Sequence, residues 1–165
     1  MPGAHFCIEE GLVGYLRMLL AVSQKNGLPW AIYRDRHSAL HRNDNHWQTH
    51  ELKAGRQDLT QIGQAMEELG VESIRALSPR AKGRIARLWR TLQDRLISEM
   101  RLAKVATIEE ANAFLPKLVK RFNAEFTVEP ENAKAAWRSV RAGVDLKRVC
   151  CLRTTATVGR KPRAN

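Results

Sequence analysis

The sequence predicts an α/β fold, because segments with helical periodicity alternate with short apolar runs of strand length. The 165 residues are 44% hydrophobic, which suits one globular domain rather than a disordered chain. Only two or three strands are predicted, and these are few for a complete sheet. We therefore expect either that the sheet is completed elsewhere or that the chain is part of a larger fold.

The first half of the chain contains one helix, short strand candidates and a long polar segment. Ala4 to Ile8 could form the end of a short strand. Apolar residues at helical spacing predict a helix over Glu10 to Asn26, and the apolar run Trp30 to Tyr33 is typical of a buried strand. His37 to Asp58 is polar and predicts a surface connection with a helical turn at Thr49 to Lys53. Connections of this length are usually functional or mobile.

The second half contains further helices and a second strand. A helix is predicted from Thr60 to Leu69, and a strand over Val71 to Leu77. The run Thr107 to Glu110 has the spacing of a capping box, which predicts that another helix begins there. Asn132 to Val140 is predicted to form a last short helix that carries Trp137. The basic tail that follows is predicted to be disordered.

The most strongly patterned segment is a basic amphipathic helix predicted over Lys82 to Ala103. At about 100° per residue, its apolar side chains fall on one stripe: Ile85, Leu88, Trp89, Leu92, Leu96 and Met100. Arginines lie off this stripe. Ala86 lies at the edge of the stripe, about 100° from Ile85. A side chain at this edge is supported by the core and can reach a neighbouring cleft.

The chain is strongly basic, with a net charge of +11. The segment from Arg75 to Lys104 contains nine Lys/Arg and two Asp/Glu. The segment from Arg138 to Asn165 contains eight Lys/Arg and one Asp. Two basic blocks on a nearly neutral remainder indicate a polyanionic partner, most simply nucleic acid. The alternative is a solvated basic face that aids solubility. The candidates for contact with DNA are Lys82, Arg84, Arg87, Arg90 and Arg95.

The sequence also predicts the cellular compartment of the protein and the redox state of its cysteines. No apolar run approaches the roughly 20 residues that cross a bilayer, so no membrane partner is predicted. The first residues lack the basic and apolar regions of a signal peptide, and the expected compartment is the cytoplasm. Cys7, Cys150 and Cys151 have no metal-binding spacing, and we expect reduced, structural thiols.

Isolated residues carry weak chemical signals. Asp35 directly follows a predicted strand, where sites in α/β folds gather, although a turn residue or helix N-cap is the commoner role of a single Asp. The pairs His37/His41 and His46/His50 have the i, i+4 spacing of zinc ligands on a helix. Loop-forming residues around them favour surface histidines instead.

The tryptophans are potential stacking residues for nucleic-acid bases. Trp47 stands among polar residues and is the best candidate for exposure. Trp89 lies on the apolar stripe, which favours packing in the core. The sequence contains no Gly-rich phosphate loop and no nucleophile elbow.

Taken together, ordered motifs from about Phe6 to Leu152 resemble the transposases of bacterial insertion sequences. These transposases belong to the retroviral-integrase-like group with the ribonuclease H-like fold. Among them, the chain most resembles the ISNCY-type transposases. The motifs are Gly27-Leu28-Pro29, Ile32 to Ser38, His41 to Asp44, His46-Trp47, Thr60 to Gly63, Glu68 to Gly70, Ala76 to Pro79, Lys82 to Arg84, Leu88 to Leu96 and Ala111 to Pro116.

The resemblance implies a catalytic site of three carboxylates that hold two Mg²⁺ ions at a DNA phosphodiester. Asp35 matches the second carboxylate and is the one residual metal ligand. The third belongs to the pattern Gly-Arg-(Ile/Val)-Glu-Arg, which here reads Gly83 to Arg87, so Ala86 occupies the position of the glutamate. The first is expected on a strand that precedes Phe6. We therefore expect that the chain binds no Mg²⁺ stably and neither cuts nor joins DNA.

The resemblance also implies a domain organisation. We expect a partial ribonuclease H-like fold that lacks its first strands over residues 1–103, a helical extension over 104–140, and a basic, disordered tail over 141–165. Related proteins continue after Leu152 into a small β-rich domain, so we expect a truncated and degenerate copy.

Two functional hypotheses follow. The first is a catalytically inactive transposase remnant that still binds DNA. The second is a stand-alone basic nucleic-acid-binding protein that regulates a full-length transposase by occupying its DNA or its partner surface. An active enzyme ranks third, since it would need a substitute acid.

Overall fold

The computed structural model describes residues 1–34, 37–42, 44–76, 79–130, 132, 134–154 and 156, without the side chains of 79–82, 84 and 85. Predictions that concern Asp35 itself, or the tail beyond residue 156, lie outside the described residues. The protein is a mixed α/β structure. Its elements in chain order are α1 (Leu12–Asn26), β1 (Leu28–Pro29), β2 (Ala31–Arg34), α2 (Thr49–Ala54), α3 (Gln61–Glu68), β3 (Glu72–Arg75), α4 (Pro79–Leu102), α5 (Ile108–Phe126), β4 (Trp137–Arg138) and α6 (Leu146–Val149).

The strands form two small sheets that meet at Trp30. β2 pairs with β3 in parallel, with Ala31 opposite Glu72, and β1 pairs with β4 in antiparallel. The N–H of Trp30 donates to the carbonyl of Ala136 at 3.1 Å, and its own carbonyl accepts from the N–H of Glu72 at 3.0 Å. The two strands predicted from the sequence therefore exist, and they pair in parallel as expected of βα units.

The main hydrophobic core lies where α1, β1, α3 and α6 meet. Its buried side chains are Leu16, Leu19, Leu28, Ile62, Ala65, Met66, Leu69, Val71, Val149 and Cys150. Ile32 packs against this cluster, which fixes the inner face of β2. Burial raises the pKa of the Cys150 thiol to about 11, so this thiol is protonated at neutral pH. All three cysteines are free, as expected.

A second cluster holds α4 against α5. Leu92, Leu118 and Phe122 are buried together, with Leu88 and Leu96 packed around them. Two ion pairs, Arg95 with Glu125 and Arg121 with Glu99, connect the same two helices. The apolar stripe predicted for α4 is therefore the face that contacts α5.

The capping box predicted at the start of α5 is confirmed, and the helix predicted from Thr60 begins with Thr60 as its N-cap. The Thr60 hydroxyl accepts a hydrogen bond from the N–H of Gly63 at 3.3 Å, which places the N-cap of α3. At α5, Thr107 and Glu110 form the predicted capping box, and the N–H of Thr107 donates to the Glu110 carboxylate at 3.2 Å. Each cap depends only on local spacing, because its two partners lie within one helical turn.

Two predicted elements are absent. Asn132 to Val140 is not a helix where it is described; Trp137 and Arg138 form β4 because they pair with β1, more than 100 residues earlier. The Ala4 to Ile8 segment is not a strand. The Asn112 side chain binds both the N–H and the carbonyl of Phe6 instead, at 2.8 and 3.1 Å.

Burial of β2 and order in the tail also differ from the expectation. Tyr33 is 60% exposed and Trp30 57%, so the run predicted as a buried strand is only partly buried. Within the predicted tail, α6 contacts α1 and buries Val149 and Cys150. The prediction of disorder is therefore wrong for this part of residues 141–165.

None of the helices in the described chain is long and apolar enough to cross a membrane.

Leu92→Ala should lower the free energy of unfolding by about 2–5 kcal/mol, because it opens a cavity at the α4–α5 interface. Ile97→Ala is the matched control on the same helix; Ile97 is 53% exposed, and its truncation should cost less than about 1 kcal/mol. Urea denaturation followed by circular dichroism measures both values. Equal losses would show that α4 does not pack on α5 through Leu92.

Candidate functional site

The candidate site lies where β2 and β3 end on the same side of the parallel pair. β2 ends at Arg34. The next residue, Asp35, lies outside the described residues, so only the preceding strand is described. The inner face of β2 packs on the core through Ile32, and its last residue, Arg34, pairs with Arg75 of β3.

Basic side chains stand at this edge. Arg34 is opposite Arg75 in the register, and its Nε donates a hydrogen bond to the hydroxyl of Ser73. Side chains of paired residues in a parallel ladder project to the same face. Two guanidinium groups on one face suit an anionic ligand such as a phosphate group.

Helix α4 passes close to the same edge. Trp89, one turn after Ala86, lines a groove of about 550 Å³ together with Arg34 at the end of β2. Ala86 is exposed and carries only a methyl group. Ala86 precedes Trp89 by about one turn of α4, and position 86 supplies no oxygen ligand. Arg34, Arg75 and Ala86 offer no carboxylate to a metal ion, and Glu10 is the carboxylate among the described residues that line this groove.

A polar cluster beside this groove was missed by the sequence reasoning. The Tyr15 hydroxyl donates to the carboxylate of Glu10, and Glu10 lies 4.0 Å from the Nε2 of His37. The rings of Tyr15 and His37 are 5.8 Å apart. Glu10 precedes α1, and its five-residue separation from Tyr15 was the available signal. The cluster connects the start of α1 to the segment after β2.

The arginines predicted to contact DNA divide into two groups. Arg87 and Arg90 are exposed. Arg95 instead makes two hydrogen bonds to Glu125 and lies over the Phe126 ring, 4.8 Å from its centroid. The side chains of Lys82 and Arg84 lie outside the described residues.

Helix geometry explains the division. Relative to Leu92, which faces α5, Arg90 and Arg101 lie about 160° and 180° around α4, whereas Arg95 lies about 60° away. Arg87 lies about 140° from Leu92, and it also lines a groove with Phe122 and Phe126 of α5, so it stands at the border between the two faces. The exposed arginines Arg87, Arg90 and Arg101 are called the outer arginine row below.

Trp89 is also placed differently from the expectation. It lies on the predicted stripe but is 53% exposed, so the prediction of core packing is wrong. Because it is about 60° from Leu92, the α5 contact leaves it uncovered. Trp47 is 41% exposed, as predicted, yet Trp30 exceeds it.

A second polar site is built around Glu51 in the connection before α3. Glu51 is fully buried, and its carboxylate accepts hydrogen bonds from the Arg42 guanidinium and, at 2.7 Å each, from the N–H groups of Gln48 and Asp58. These N–H bonds are the main reason why the pKa of Glu51 is lowered; desolvation opposes them, and the charge of Arg42 adds to them.

This cluster also contains the potential metal ligands found among the described residues. Ligand atoms of His50, Glu51 and Asp58 lie within 4.8 Å of one another, and His50 already bonds Asp58 at 2.7 Å. His46 lies before α2, so the His46/His50 pair does not share a helical face. An ion would have to displace donors that already satisfy Glu51. The arrangement is better explained as a network that closes the connection.

Glu51→Gln tests this network through its pH dependence. Because the native pKa lies below the ordinary value of 4.5, ionised Glu51 stabilises the protein above that value and the contribution is lost as pH falls through it. Wild type should therefore lose more unfolding free energy than Glu51→Gln when pH falls from neutral to below 4.5. Denaturation at each pH measures this, with Glu67→Gln as an exposed control. Parallel curves for wild type and Glu51→Gln would contradict the role given to Glu51.

Comparison with known proteins identifies relatives but no structural match. No family model matches the chain, and no solved structure matches it. A Sinorhizobium fredii protein named as transposase y4bF is 36% identical over 155 residues, which is 93% of this chain and 33% of that protein. The transposase for insertion sequence IS1202 of Streptococcus pneumoniae is 33% identical over 124 residues, which is 75% of this chain and 26% of that protein.

The alignment to the Sinorhizobium protein covers almost the whole chain, including both parallel strands and helices α1 to α5. The chain spans about a third or less of the length of each curated relative. By sequence, the chain belongs to the insertion-sequence transposases.

Proposed function

We propose that this chain is a DNA-binding, catalytically inactive relative of an insertion-sequence transposase. The observation that carries the proposal is the outer arginine row of α4, which is exposed; Arg90 and Arg101 face away from α5, and Arg87 stands at the border with it. Its relatives are named as transposases, and DNA is the polyanion on which such proteins act. Guanidinium groups in a row along one helix neutralise phosphates without needing a particular base sequence.

The second basic block, Arg138 to Asn165, contributes less to DNA binding than its charge suggests. Arg138 and Arg153 are used internally: Arg138 donates to the carbonyls of Leu69 and Gly70, and Arg153 pairs with Glu68. Lys147 and Arg148 are exposed on α6. Charge counting alone therefore overstates how many cations are available to a phosphate backbone.

The finer fold assignment is part of the proposal. A parallel strand pair followed by a long helix is compatible with a partial ribonuclease H-like, integrase-type core over residues 1–103. α5 would then belong to an extension over 104–140. β4 departs from a purely helical extension, because it returns to pair with β1.

Loss of catalysis is inferred from position 86. A three-carboxylate site holds its metal ions through several negative charges, and a methyl group supplies neither charge nor ligand. Loss of an outer-shell partner alone costs roughly 10–100-fold in affinity or activity, so the loss of a direct ligand should cost more.

A second function is that of a stand-alone basic nucleic-acid-binding protein that regulates a full-length transposase. The chain would then bind a full-length transposase and modulate it, in place of acting on DNA alone. Both functions are compatible with the same fold, and they differ in whether the partner is nucleic acid or protein.

Arg87→Ala combined with Arg90→Ala should weaken binding to duplex DNA and reduce the magnitude of the slope of log K against log salt by about 2, since each lost phosphate contact removes about 0.9. The matched control is Arg95→Ala, which also removes one positive charge from α4. We expect it to lower thermal stability through its Glu125 pair and to leave the salt slope nearly unchanged. Fluorescence anisotropy over a series of salt concentrations measures the slope. An unchanged slope in the double variant, or an equal change per charge in Arg95→Ala, would contradict the assignment.

The isolated chain should show no DNA cleavage or strand transfer with Mg²⁺ or Mn²⁺. Ala86→Glu, tested as residues 1–165 alone, should remain inactive, because residues 1–5 of this polypeptide contain no Asp or Glu that could serve as the family's first carboxylate. A gel assay on labelled duplex measures both proteins. Robust cleavage by wild type would defeat the proposal of inactivity, and recovery by Ala86→Glu alone would contradict the carboxylate assignment.

A further inference from the structure

Much of the connection between β2 and α3 is folded around a buried carboxylate. Its described residues 41–42 and 44–58 are called the Glu51 loop below. The Arg42 guanidinium bonds the carboxylate of Glu51, that of Asp44 at 3.1 Å and the carbonyl of His46 at 2.6 Å. The loop is therefore held in shape by hydrogen bonds between polar groups rather than by apolar burial.

The Glu51 loop presents Trp47 on a fixed backbone. The carbonyl of His46, the preceding residue, accepts two side-chain hydrogen bonds at 2.6 and 3.3 Å. The N–H of Gln48, the following residue, donates to the Glu51 carboxylate at 2.7 Å. Trp47 itself is 41% exposed. An aromatic ring whose backbone is held on both sides loses little conformational freedom when a ligand covers it.

Trp47 has no stacking partner among the residues that the structure describes. No other aromatic ring and no guanidinium group lies over its ring there. Trp30 is more exposed, but the Arg138 guanidinium lies 4.9 Å from the centroid of its ring. Trp89 lines the groove between α1 and β2. Trp47 is thus an exposed tryptophan that stands outside that groove and carries no cation of its own.

The charges that remain free on the Glu51 loop are positive. All three carboxylates of the loop bond side chains of the loop itself; they belong to Asp44, Glu51 and Asp58. Lys53 and Arg56 are exposed, and within the described chain no carboxylate pairs with them. Helix α2, which separates Trp47 from these cations, has six residues and is about 9 Å long. This length matches two or three nucleotides, at about 3.4 Å per phosphate of one strand.

We propose that the Glu51 loop binds unpaired nucleotides of DNA, with a base stacked on Trp47 and the neighbouring phosphates at Lys53 and Arg56. Aromatic rings stack on bases of any sequence, and cations beside them hold the backbone. Bases inside a duplex are already stacked on one another, so the loop prefers a single strand. The inference rests on the DNA-binding function proposed above and adds a second form of DNA to it.

A protein partner fits this surface less well than a nucleic acid does. The large apolar side chains of the Glu51 loop are Trp47 and Leu52, whereas a stable protein interface buries about 800 Å² on each partner. The residues beside Trp47 in the chain are polar and exposed, so they would not form the water-excluding surround of an interface hot spot.

A single strand of about 12 thymidines is the probe, and its binding to the full chain is measured by fluorescence anisotropy beside a duplex of equal length. Trp47→Leu should weaken single-strand binding about tenfold, because it removes the ring and keeps an apolar side chain. Trp47→Phe keeps a ring and should stay within about threefold of wild type. Trp30→Leu is the matched control and should bind as wild type does. Duplex binding should be the same in all four proteins.

A strand of the same length without bases is the second probe. It should bind wild type about tenfold more weakly than the thymidine strand, and Trp47→Leu should not weaken it further. Circular dichroism establishes that each variant is folded; if Trp47→Leu unfolds, the comparison of the two strands on wild type decides.

Equal binding of the thymidine strand by wild type and folded Trp47→Leu, or of both strands by wild type, overturns the proposal. A loss in Trp47→Leu that is equal for duplex and single strand overturns it too. The duplex arm separates this inference from the proposed function. Absent duplex binding with the expected single-strand results defeats the outer arginine row alone, and the reverse result defeats the Glu51 loop alone.

Discussion

The backbone hydrogen bonds of Trp30 hold the two halves of the structure together. Through its N–H this residue binds the segment before β4, and through its carbonyl it binds β3. The guanidinium of Arg138 then lies over the Trp30 ring, 4.9 Å from its centroid, and donates to the carbonyls of Leu69 and Gly70 after α3. The positions of β2, β3 and β4 relative to one another follow from these contacts. These contacts of Trp30 and Arg138 therefore also position the groove and the candidate site.

Helix α4 has two faces with different tasks. The face centred on Leu92 packs on α5 and uses Arg95 to bind Glu125 across the interface. The opposite face exposes the outer arginine row. A strongly basic helix is thus not uniformly available to DNA, because one of its cations stabilises the fold. The same distinction applies near the C-terminus, where Arg138 and Arg153 are bonded within the protein.

Signals that act within one or two turns were predictable from the sequence. The capping box of Thr107, the N-cap at Thr60 and the apolar stripe of α4 needed only local spacing. The parallel pair β2–β3 was also predictable, because an intervening helix favours parallel strands.

The features that could not be predicted from the sequence depend on distant partners. β4 exists because β1 accepts it, and Trp89 is exposed because α5 covers a neighbouring face. The Glu51 network joins residues of ordinary types whose meeting has no sequence signature, and in the Glu10–Tyr15–His37 cluster only the short separation of Glu10 and Tyr15 was a signal. That Ala86 occupies the position of the third carboxylate is implied by the family resemblance, and Trp89, one turn later, lines the same groove as Arg34.

The central claim is that the outer face of α4 contacts DNA while its inner face contacts α5. NMR of the arginine Nε–H groups during titration with duplex DNA tests it most directly, because each side chain reports separately. The account predicts shifts for Arg87, Arg90 and Arg101 that are reversed by added salt, with Arg95 and Arg121 unchanged. Shifts confined to Arg95 and Arg121, or no shifts at low salt, would contradict it.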